Sequence, residues 1–246
     1  MRIDIMTIFP DMMNAYLSES IIGRAIKAKK LEVYCHNIRD YTTDKHNRTD
    51  DMPYGGGNGM VMTAQPIDDC FNAIVTKTGK KPYFIYMSPQ GKTLTQKKAI
   101  ELSKMDNIVL LCGHYEGVDQ RVLDKLCDEE ISIGDYVLTG GELPALVITD
   151  AVARMLDGVL SNEECFTEES HFSGLLEYPQ YTRPAVWQER EVPQVLISGH
   201  HKNIEKFKRE QSLLNTIKKR PELLKNAKLT EFDREFIEKN RNFDEK

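Results

Sequence analysis

Short apolar runs alternate with helical segments along the first 160 residues of the chain. Two of the runs, PYFIYM (82–87) and NIVLLC (107–112), contain no alternating polar positions, which is typical of strands covered by helices on both faces. Between the runs, segments such as TQKKAIELSK (95–104) have apolar residues at helical spacing. This alternation predicts an α/β domain over residues 1–160, built on a parallel sheet.

The pattern changes after Leu160. The stretch SNEECFTEESHFSG is polar, acidic and without period, so it predicts a linker or lid over residues 161–175. Beyond it, apolar residues recur at helical spacing in HKNIEKFKREQSLLNTIKKR, and Thr230 precedes a last helical segment as a candidate N-cap. Residues 176–246 are therefore predicted to form a small helical domain.

Composition narrows the class of protein. The 246 residues are 40% hydrophobic and 29% charged, as in globular proteins, and no apolar run approaches the roughly 20 residues of a membrane-spanning helix. The five cysteines are scattered and form no CxxC pair, which argues against a disulfide framework and a structural zinc site. We expect a cytoplasmic protein with reduced cysteines.

Charge is distributed unevenly along the chain. The formal net charge is -5, yet between His201 and Lys228 nine basic residues face three acidic ones, a local balance of 9 - 3 = +6. Such a segment fits a surface that contacts nucleic-acid phosphates, and it fits a solvated helical face equally well.

Two glycine-rich stretches resemble nucleotide-binding motifs, but each lacks a glycine that the motif requires. YMSPQGKT ends like a P-loop, but Tyr86 occupies the position of the required first glycine. PYGGGNGMVM has Met60 and Met62 where the last glycine of GxGxxG would stand. The second stretch remains suited to close packing of a planar group, or to a flexible loop.

Three further loops each follow a predicted strand: SPQG (88–91), GHYEGVD (113–119) and GDYVLTGG (134–141). In a parallel sheet they meet at one edge, where ligands bind. They offer glycines, aromatic and apolar side chains and carboxylates, and the nearest cation is Arg121. Such a site disfavours a polyanionic nucleotide and suits a ligand with an aromatic base, a ribose and a positive centre, a description that S-adenosylmethionine fits.

Six stretches then carry a resemblance that covers essentially the whole chain: PYGGGNGMV, LLCGHYEGVDQR, DEEISIGDYVLTGGELPALVITDAVAR, GLLEYPQYTRP, VPQVLISGHH and KKRPELL. In this order and spacing they closely resemble the bacterial tRNA (guanine-N1)-methyltransferases of the SPOUT superfamily. The resemblance implies an α/β domain with a C-terminal trefoil knot, an obligate homodimer with active sites at the subunit interface, and a helical C-terminal domain that grips tRNA. It also implies methyl transfer from S-adenosylmethionine to the guanosine immediately 3′ of the anticodon.

The same resemblance assigns residues to ligands. The cofactor pocket would comprise Tyr86, Ser88, Pro89, Gly113, Tyr115, Glu116, Ile133, Gly134, Asp135, Tyr136, Val137, Leu138, Gly140 and Gly141. The target guanine would be admitted by the loop of Gly55, Gly56, Gly57, Asn58 and Gly59, and tRNA phosphates would meet Lys202, Lys206, Lys208 and Arg209.

Arg154 matches the functional arginine of the family, and Glu169 stands where the family usually has a catalytic aspartate. Glu168 and His171 remain rivals for the role of base. Because of these departures, an RNA-binding protein with impaired methyl transfer, or a methyltransferase acting at another RNA position, remains an alternative. Magnesium dependence is a family trait as well, but no residue spacing identifies its ligands.

Overall fold

A computed structural model of the protein describes residues 1–160 and 169–240. The chain divides into two compact units, Met1–Asn162 and Glu163–Lys246. No helix within the described ranges is long and apolar enough to cross a membrane.

The first unit contains a five-stranded sheet in which every pair of neighbouring strands is parallel. Its strands are β1 (Arg2–Thr7), β2 (Glu32–Asn37), β5 (Tyr83–Thr93), β6 (Asn107–Cys112) and β7 (Glu129–Ser132), in the spatial order β2-β1-β6-β5-β7. A small antiparallel pair, β3 (Asp50–Asp51) and β4 (Val61–Met62), lies outside this sheet. The parallel α/β sheet predicted from the sequence is therefore confirmed.

Helices cover both faces of the sheet. They are α1 (Pro10–Leu17), α2 (Ser20–Lys27), α3 (Ala64–Thr78), α4 (Gln96–Leu102), α5 (Gln120–Leu126) and α6 (Glu142–Ala153), with a 3-10 turn at Ile38–Tyr41. Successive side chains of β6 point to opposite faces of the sheet. On one face, Ile108 and Leu110 pack with α1, α2, α4 and α6. On the other, Val109 and Leu111 pack with α3 and α5. This double coverage explains the uninterrupted apolar run NIVLLC.

Strand β5 differs from its prediction. The sequence predicts a strand that ends at Met87 and a loop over 88–91, whereas the strand continues to Thr93 with a register shift between Met87 and Lys92. Gly91 permits the close approach to β7, because a Cβ there would lie 2.4 Å from the carbonyl carbon of Glu130. The SPQG segment is thus an irregularity inside a strand, held at the edge where β7 also ends.

A charged cluster is buried beside the edge strand β2. Asp4 is fully buried and accepts two hydrogen bonds from Arg2, both of 2.7 Å, and lies 2.8 Å from His36 Nε2. Burial raises the pKa of the Asp4 carboxyl, but the bonds from Arg2 and His36 outweigh it, so the net pKa is lowered. Arg2 Cζ also lies 4.3 Å from the centre of the Tyr34 ring, so this cation–π contact joins β1 to β2.

The second unit is mostly helical. It contains the hairpin β8 (Val186–Trp187) and β9 (Arg190–Glu191), then α7 (Gln194–Ile197), α8 (His201–Lys219), a 3-10 turn at Pro221–Lys225, and α9 (Glu231–Asn240). Thr230 caps α9 as predicted: Asp233 N donates to Thr230 Oγ1, and Thr230 N donates to Asp233 Oδ2.

The described part of the predicted 161–175 linker is anchored within the second unit. Leu175 is buried, and the backbone N–H of Leu176 donates to Thr216 Oγ1 of α8 at 2.9 Å. Asn215 Nδ2 also donates to the Glu177 carbonyl at 2.7 Å. Residues 169–175 therefore lie in the same compact unit as 176–240, a contribution to packing that an aperiodic polar sequence does not indicate.

We predict that Asp4→Asn lowers the free energy of unfolding of the first unit by about 3 kcal/mol, because it leaves Arg2 without its buried partner. Hydrogen exchange of the β1 and β6 amides in urea would measure the loss. Asp106→Asn is the matched control, since the Asp106 side chain is 93% exposed in its pair with Lys80.

The effect of Asp4→Asn is expected to depend on pH. Because the folded pKa of Asp4 is lowered, its stabilisation is present above the ordinary aspartate pKa of about 3.9 and is lost as the pH falls through the folded value. The difference between wild type and variant should shrink in acid. Equal stability of the two proteins at pH 7 would contradict this account.

Candidate functional site

A cavity of about 380 Å³ opens beside the SPQG segment within β5 and the ends of β6 and β7, within the range of roughly 300–1,000 Å³ for small-molecule pockets. Because these three strands are neighbours in the sheet, the three segments that the sequence places together do meet, although SPQG lies inside β5 and is not a loop after it. Twelve residues predicted from the family resemblance line this cavity: Tyr86, Ser88, Pro89, Gly113, Tyr115, Glu116, Ile133, Tyr136, Val137, Leu138, Gly140 and Gly141.

Two consecutive glycines bring the loop after β7 onto the end of β6. The Gly141 N–H donates to the Gly113 carbonyl at 2.8 Å, and Gly140 forms an antiparallel bridge with His114. A Cβ on Gly141 would lie 2.7 Å from Cys112 Cα and 2.9 Å from Gly113 N. Since both are backbone atoms, no side chain fits at position 141 without moving one wall of the cavity.

Gly113 makes space for an aromatic side chain. A Cβ there would lie 2.8 Å from Tyr86 Oη, so the Tyr86 ring crosses directly over this glycine. Burial raises the pKa of the Tyr86 hydroxyl, and nearby Glu130 adds to the shift. Tyr86 is therefore a neutral hydrogen-bonding group at neutral pH, suited to a ligand that has an aromatic ring and polar edges.

The cavity is poor in positive charge. Its described lining residues include Glu116 and Glu130 but no lysine or arginine. The nearby Arg121 donates to both carboxylate oxygens of Asp119, at 2.9 and 2.6 Å, and its hydrogen bonds lower the Asp119 pKa. A polyanion would find no free cation in this wall, whereas a positive centre is electrostatically favoured.

A buried polar cluster stands behind the cavity wall. Thr7 Oγ1 donates to Glu142 Oε1 at 2.8 Å, and Glu142 is only 4% exposed at the first position of α6. Its other oxygen lies 3.9 Å from Nδ1 of His114, which lines the cavity. None of these three side chains was among the predicted site residues.

The glycine-rich loop 55–59 lies next to the cavity. Gly55, Gly56 and Gly57 all have positive φ and open space around them. Gly59, at φ +93, leaves room for Glu116, because a Cβ would lie 2.5 Å from Glu116 Oε1. Backbone bonds from Glu116 N to Met60 O and from Met62 N to Gly117 O join this loop to the loop after β6.

Among the residues predicted for the cofactor pocket and for catalysis, four lie outside the described cavity lining: Gly134, Asp135, Arg154 and Glu169. Gly134 shapes the loop instead, since a Cβ there would lie 2.4 Å from the Tyr136 ring, and Asp135 is exposed. Arg154 stands at the C-terminal cap of α6 in the first unit, and Glu169 is half-buried in the second. Glu168 lies outside the described residues.

The basic residues of α8 have different surroundings. Lys202 and Lys206 are exposed, whereas Arg209 donates through Nε and one terminal nitrogen to the buried Asp233, at 2.9 and 2.7 Å. Lys208 Nζ lies 4.7 Å from the centre of the Tyr178 ring. Arg209 therefore joins α8 to α9, a use that charge counting along the sequence does not reveal.

No metal site is apparent in residues 1–160 and 169–240, where no group of three or more His, Cys, Asp or Glu side chains is arranged to hold an ion. Residues 161–168 of the acidic stretch SNEECFTEESHFSG lie outside the described residues.

Several lining residues were not predicted. Some are apolar or belong to strands that the sequence reads as core, and others are polar neighbours of predicted residues. They are Val61, Met87, Gln90, His114, Gly117, Val118, Gln120, Leu123, Glu130, Ile131, Ser132, Thr139 and Pro144. Gln90, His114, Gly117, Val118 and Thr139 belong to the three predicted loops although they were not assigned to the cofactor individually, whereas Val61 and Leu123 reach the cavity only through tertiary packing.

Known proteins resemble this chain over nearly its full length. The family model described as tRNA (Guanine-1)-methyltransferase TrmD matches residues 1–226. The tRNA (guanine-N(1)-)-methyltransferase of Ruminiclostridium cellulolyticum is 59% identical over 223 residues, which cover 91% of this chain and 96% of the relative. The proteins of the same name from Lachnospira eligens and Alkaliphilus oremlandii are 56% and 54% identical, covering 91% and 97% of this chain and 94% and 98% of theirs.

We predict that Gly141→Ala weakens binding of S-adenosylmethionine, measured by isothermal titration, by on the order of tenfold or more, because a displacement near 1 Å disrupts a preorganised site. Gly79→Ala is the control: its αL cap position at φ +69 has open space and lies at the end of α3. That change should cost about 1 kcal/mol of stability and leave binding intact. Equal affinities of the Gly141→Ala and Gly79→Ala proteins for S-adenosylmethionine would show that the close approach of Gly141 to β6 does not control binding.

Proposed function

The chain belongs to the tRNA (guanine-1)-methyltransferase family, and from this membership we propose how its two units share the reaction. The enzyme transfers a methyl group from S-adenosylmethionine to N1 of a guanosine in tRNA, and we propose that this guanosine lies immediately 3′ of the anticodon. The cavity beside the SPQG segment of β5 and the ends of β6 and β7, whose described lining contains no lysine or arginine, is the observation that supports the cofactor assignment.

The chemistry of the lining fits this methyl donor. Tyr86 and Tyr136 supply aromatic surface, and Ile133 and Leu138 supply apolar surface for an adenosine. Glu116 and Glu130 supply negative charge that favours a sulfonium. Backbone groups of the loops after β6 and β7 remain for the polar edges of the ligand. Tyr86, Ser88, Pro89, Gly113, Tyr115, Val137, Gly140 and Gly141 complete the proposed pocket, with Gly134 and Asp135 shaping its loop.

Methylation at N1 requires a base, because this nitrogen carries a proton and its lone pair is delocalised into the ring. We assign Glu169 to remove that proton while the methyl group leaves sulfur, and Arg154 to stabilise negative charge that develops on O6. The segment after Glu169 is well anchored: Glu177 N donates to Ser170 Oγ, and His171 N donates to the Leu175 carbonyl. His171, exposed at φ +73, and Glu168 are the alternative bases.

Substrate recognition is divided between two surfaces. The loop Gly55, Gly56, Gly57, Asn58 and Gly59 admits the flat face of the target base once it has left the stack. Lys202 and Lys206 of α8 contact tRNA phosphates, with Lys208 beside them. Arg209 supports this surface indirectly, since its bonds to Asp233 hold α9 on α8.

An exposed apolar face of the first unit supports a homodimer with its active sites at the subunit interface. Met12 and Tyr16 lie one turn apart on α1, and Leu143 and Val147 lie one turn apart on α6; all four are more than 40% exposed. Tyr16 Oη donates to Asp150 Oδ2 at 2.5 Å, which joins the two helices. Phe9, 43% exposed, lies just before α1. Such a patch is typical of an interaction site.

The family also implies a trefoil knot in the C-terminal part of the first unit, magnesium dependence and action on tRNA in the cytoplasm. The tight return of Gly140 and Gly141 onto the end of β6 is compatible with a threaded chain. We include these three properties in the proposal.

Incubation of the purified protein with unmodified tRNA, magnesium and labelled S-adenosylmethionine, followed by nucleoside mass spectrometry, tests the function. We expect 1-methylguanosine beside the anticodon. Cofactor and tRNA binding without methyl transfer would instead identify an RNA-binding protein, and methyl at another position would identify a different branch of the superfamily. A parallel incubation with EDTA in place of magnesium tests the metal dependence.

The same assay under single-turnover conditions tests the base. Glu169→Gln keeps the size of the side chain but cannot accept the proton, so the rate should fall by roughly 10²–10⁴-fold with little change in tRNA affinity. Glu191→Gln, an exposed glutamate of the same unit, is the matched control. A near-wild-type rate for Glu169→Gln would transfer the role to Glu168 or His171.

For the dimer, we predict that Val147→Asp weakens self-association in sedimentation velocity by about 30-fold or more and reduces methyl transfer in parallel, because it buries a charge in an apolar contact. Ala73→Asp places the same charge on an exposed position of α3 and should leave both properties unchanged. A Val147→Asp protein that remains dimeric at low concentration would exclude this face as the interface.

A further inference from the structure

The buried cluster behind the cavity has no part in the proposed chemistry. Phe9 N donates to Thr7 Oγ1 at 2.9 Å, and Thr7 Oγ1 donates to Glu142 Oε1 at 2.8 Å. These two bonds hold the Glu142 carboxylate in one orientation. A buried, fixed carboxylate therefore faces His114 from behind the wall of the cavity.

The Nδ1 atom of the His114 imidazole is available for a hydrogen bond. This atom is buried and has no hydrogen-bond partner among residues 1–160 and 169–240, an arrangement that is rare and unfavourable. Glu142 Oε2 is 3.9 Å away, which is too long for a hydrogen bond. A shift of about 1 Å would bring the two atoms to normal bonding distance.

The ring is also in contact with the cavity lining. Its centroid lies 5.0 Å from that of Tyr115, with an interplanar angle of 86°, and 5.2 Å from that of Phe9, with an interplanar angle of 67°. Tyr115 lines the cavity with its backbone at φ +59, a left-handed conformation that is uncommon for an aromatic residue. Movement of the His114 ring towards Glu142 would therefore change the position of Tyr115.

Gly140 makes the approach of the two groups possible. A Cβ at this position would lie 2.4 Å from Glu142 Oε2 and 2.6 Å from His114 Nδ1. The missing side chain leaves the line between the two atoms open. The site thus contains a donor position, an acceptor and the space that joins them.

We propose that His114 is a positioning residue whose Nδ1–H closes onto Glu142 when the methyl donor occupies the cavity, holding Tyr115 against the donor. This inference rests on the proposed function and extends it, because it adds His114, Glu142 and Thr7 as a latch. The latch is a two-state element: donor binding favours the closed pair, and the closed pair in turn favours bound donor.

Isothermal titration with S-adenosylmethionine on two variants and their combination tests the latch. His114→Phe keeps an aromatic ring for the contacts with Phe9 and Tyr115 but removes Nδ1, and Glu142→Gln keeps an acceptor for Thr7 but removes the charge. Each change should weaken binding about tenfold. The double variant should lose no more than either single one, because both changes remove the same pair.

His46→Phe and Glu101→Gln are matched controls at exposed positions and should bind the donor normally. A second readout is the imidazole ¹⁵N spectrum: the His114 Nδ1 signal should take the shift of a hydrogen-bonded N–H when S-adenosylmethionine is added. Thermal unfolding of all variants separates binding from stability.

Two results would overturn the latch while leaving the methyltransferase assignment intact. One is wild-type donor affinity in both single variants, with changes confined to the melting temperature. The other is a His114 Nδ1 signal that does not move when the donor binds. A wild-type protein that fails to bind S-adenosylmethionine would instead overturn the proposed function, and the latch with it.

Discussion

The close approach of Gly140 and Gly141 to the end of β6 is the constraint on which the site depends. The Gly141 N–H bonds to Gly113, and no Cβ fits between Gly141 and the β6 backbone. This contact fixes where the loop after β7 turns and where α6 begins, so it sets the distance between two walls of the cavity. It also delivers Glu142 into the core beside Thr7. Backbone proximity therefore determines both the shape of the cavity and the buried charge behind it.

Charged side chains are also divided between the two units. The first unit has a cavity wall that carries carboxylates and tyrosines, and its nearest arginine is paired with Asp119. The exposed Lys202 and Lys206 of α8 lie in the second unit. Under the proposed function, a protein with net charge -5 meets the cationic donor with carboxylates of the first unit and the RNA phosphates with lysines of the second.

The sequence predicts the parallel sheet and its helices well, since unbroken apolar runs and helical spacing are local signals. It also predicts that the segments 88–91, 113–119 and 134–141 meet, because the strands are parallel and share one edge of the sheet. Other features depend on partners distant in sequence: the continuation of β5 through SPQG rests on contact with β7, and the bonding of Arg209 rests on Asp233. His114 and Glu142 stand beside recognised motifs, yet their facing geometry, 28 residues apart in sequence, follows only from the fold.

The position of Phe9 links subunit contact to the cofactor cavity. Phe9 is 43% exposed on the apolar face proposed as the dimer interface, and its ring centroid lies 5.2 Å from that of His114, at an interplanar angle of 67°. Burial of Phe9 against a second subunit would restrict its ring, and hence the ring of His114 and the contact with Tyr115. The ring contacts of His114 with Phe9 and with Tyr115 thus connect the face proposed as the dimer interface to the lining of the cavity.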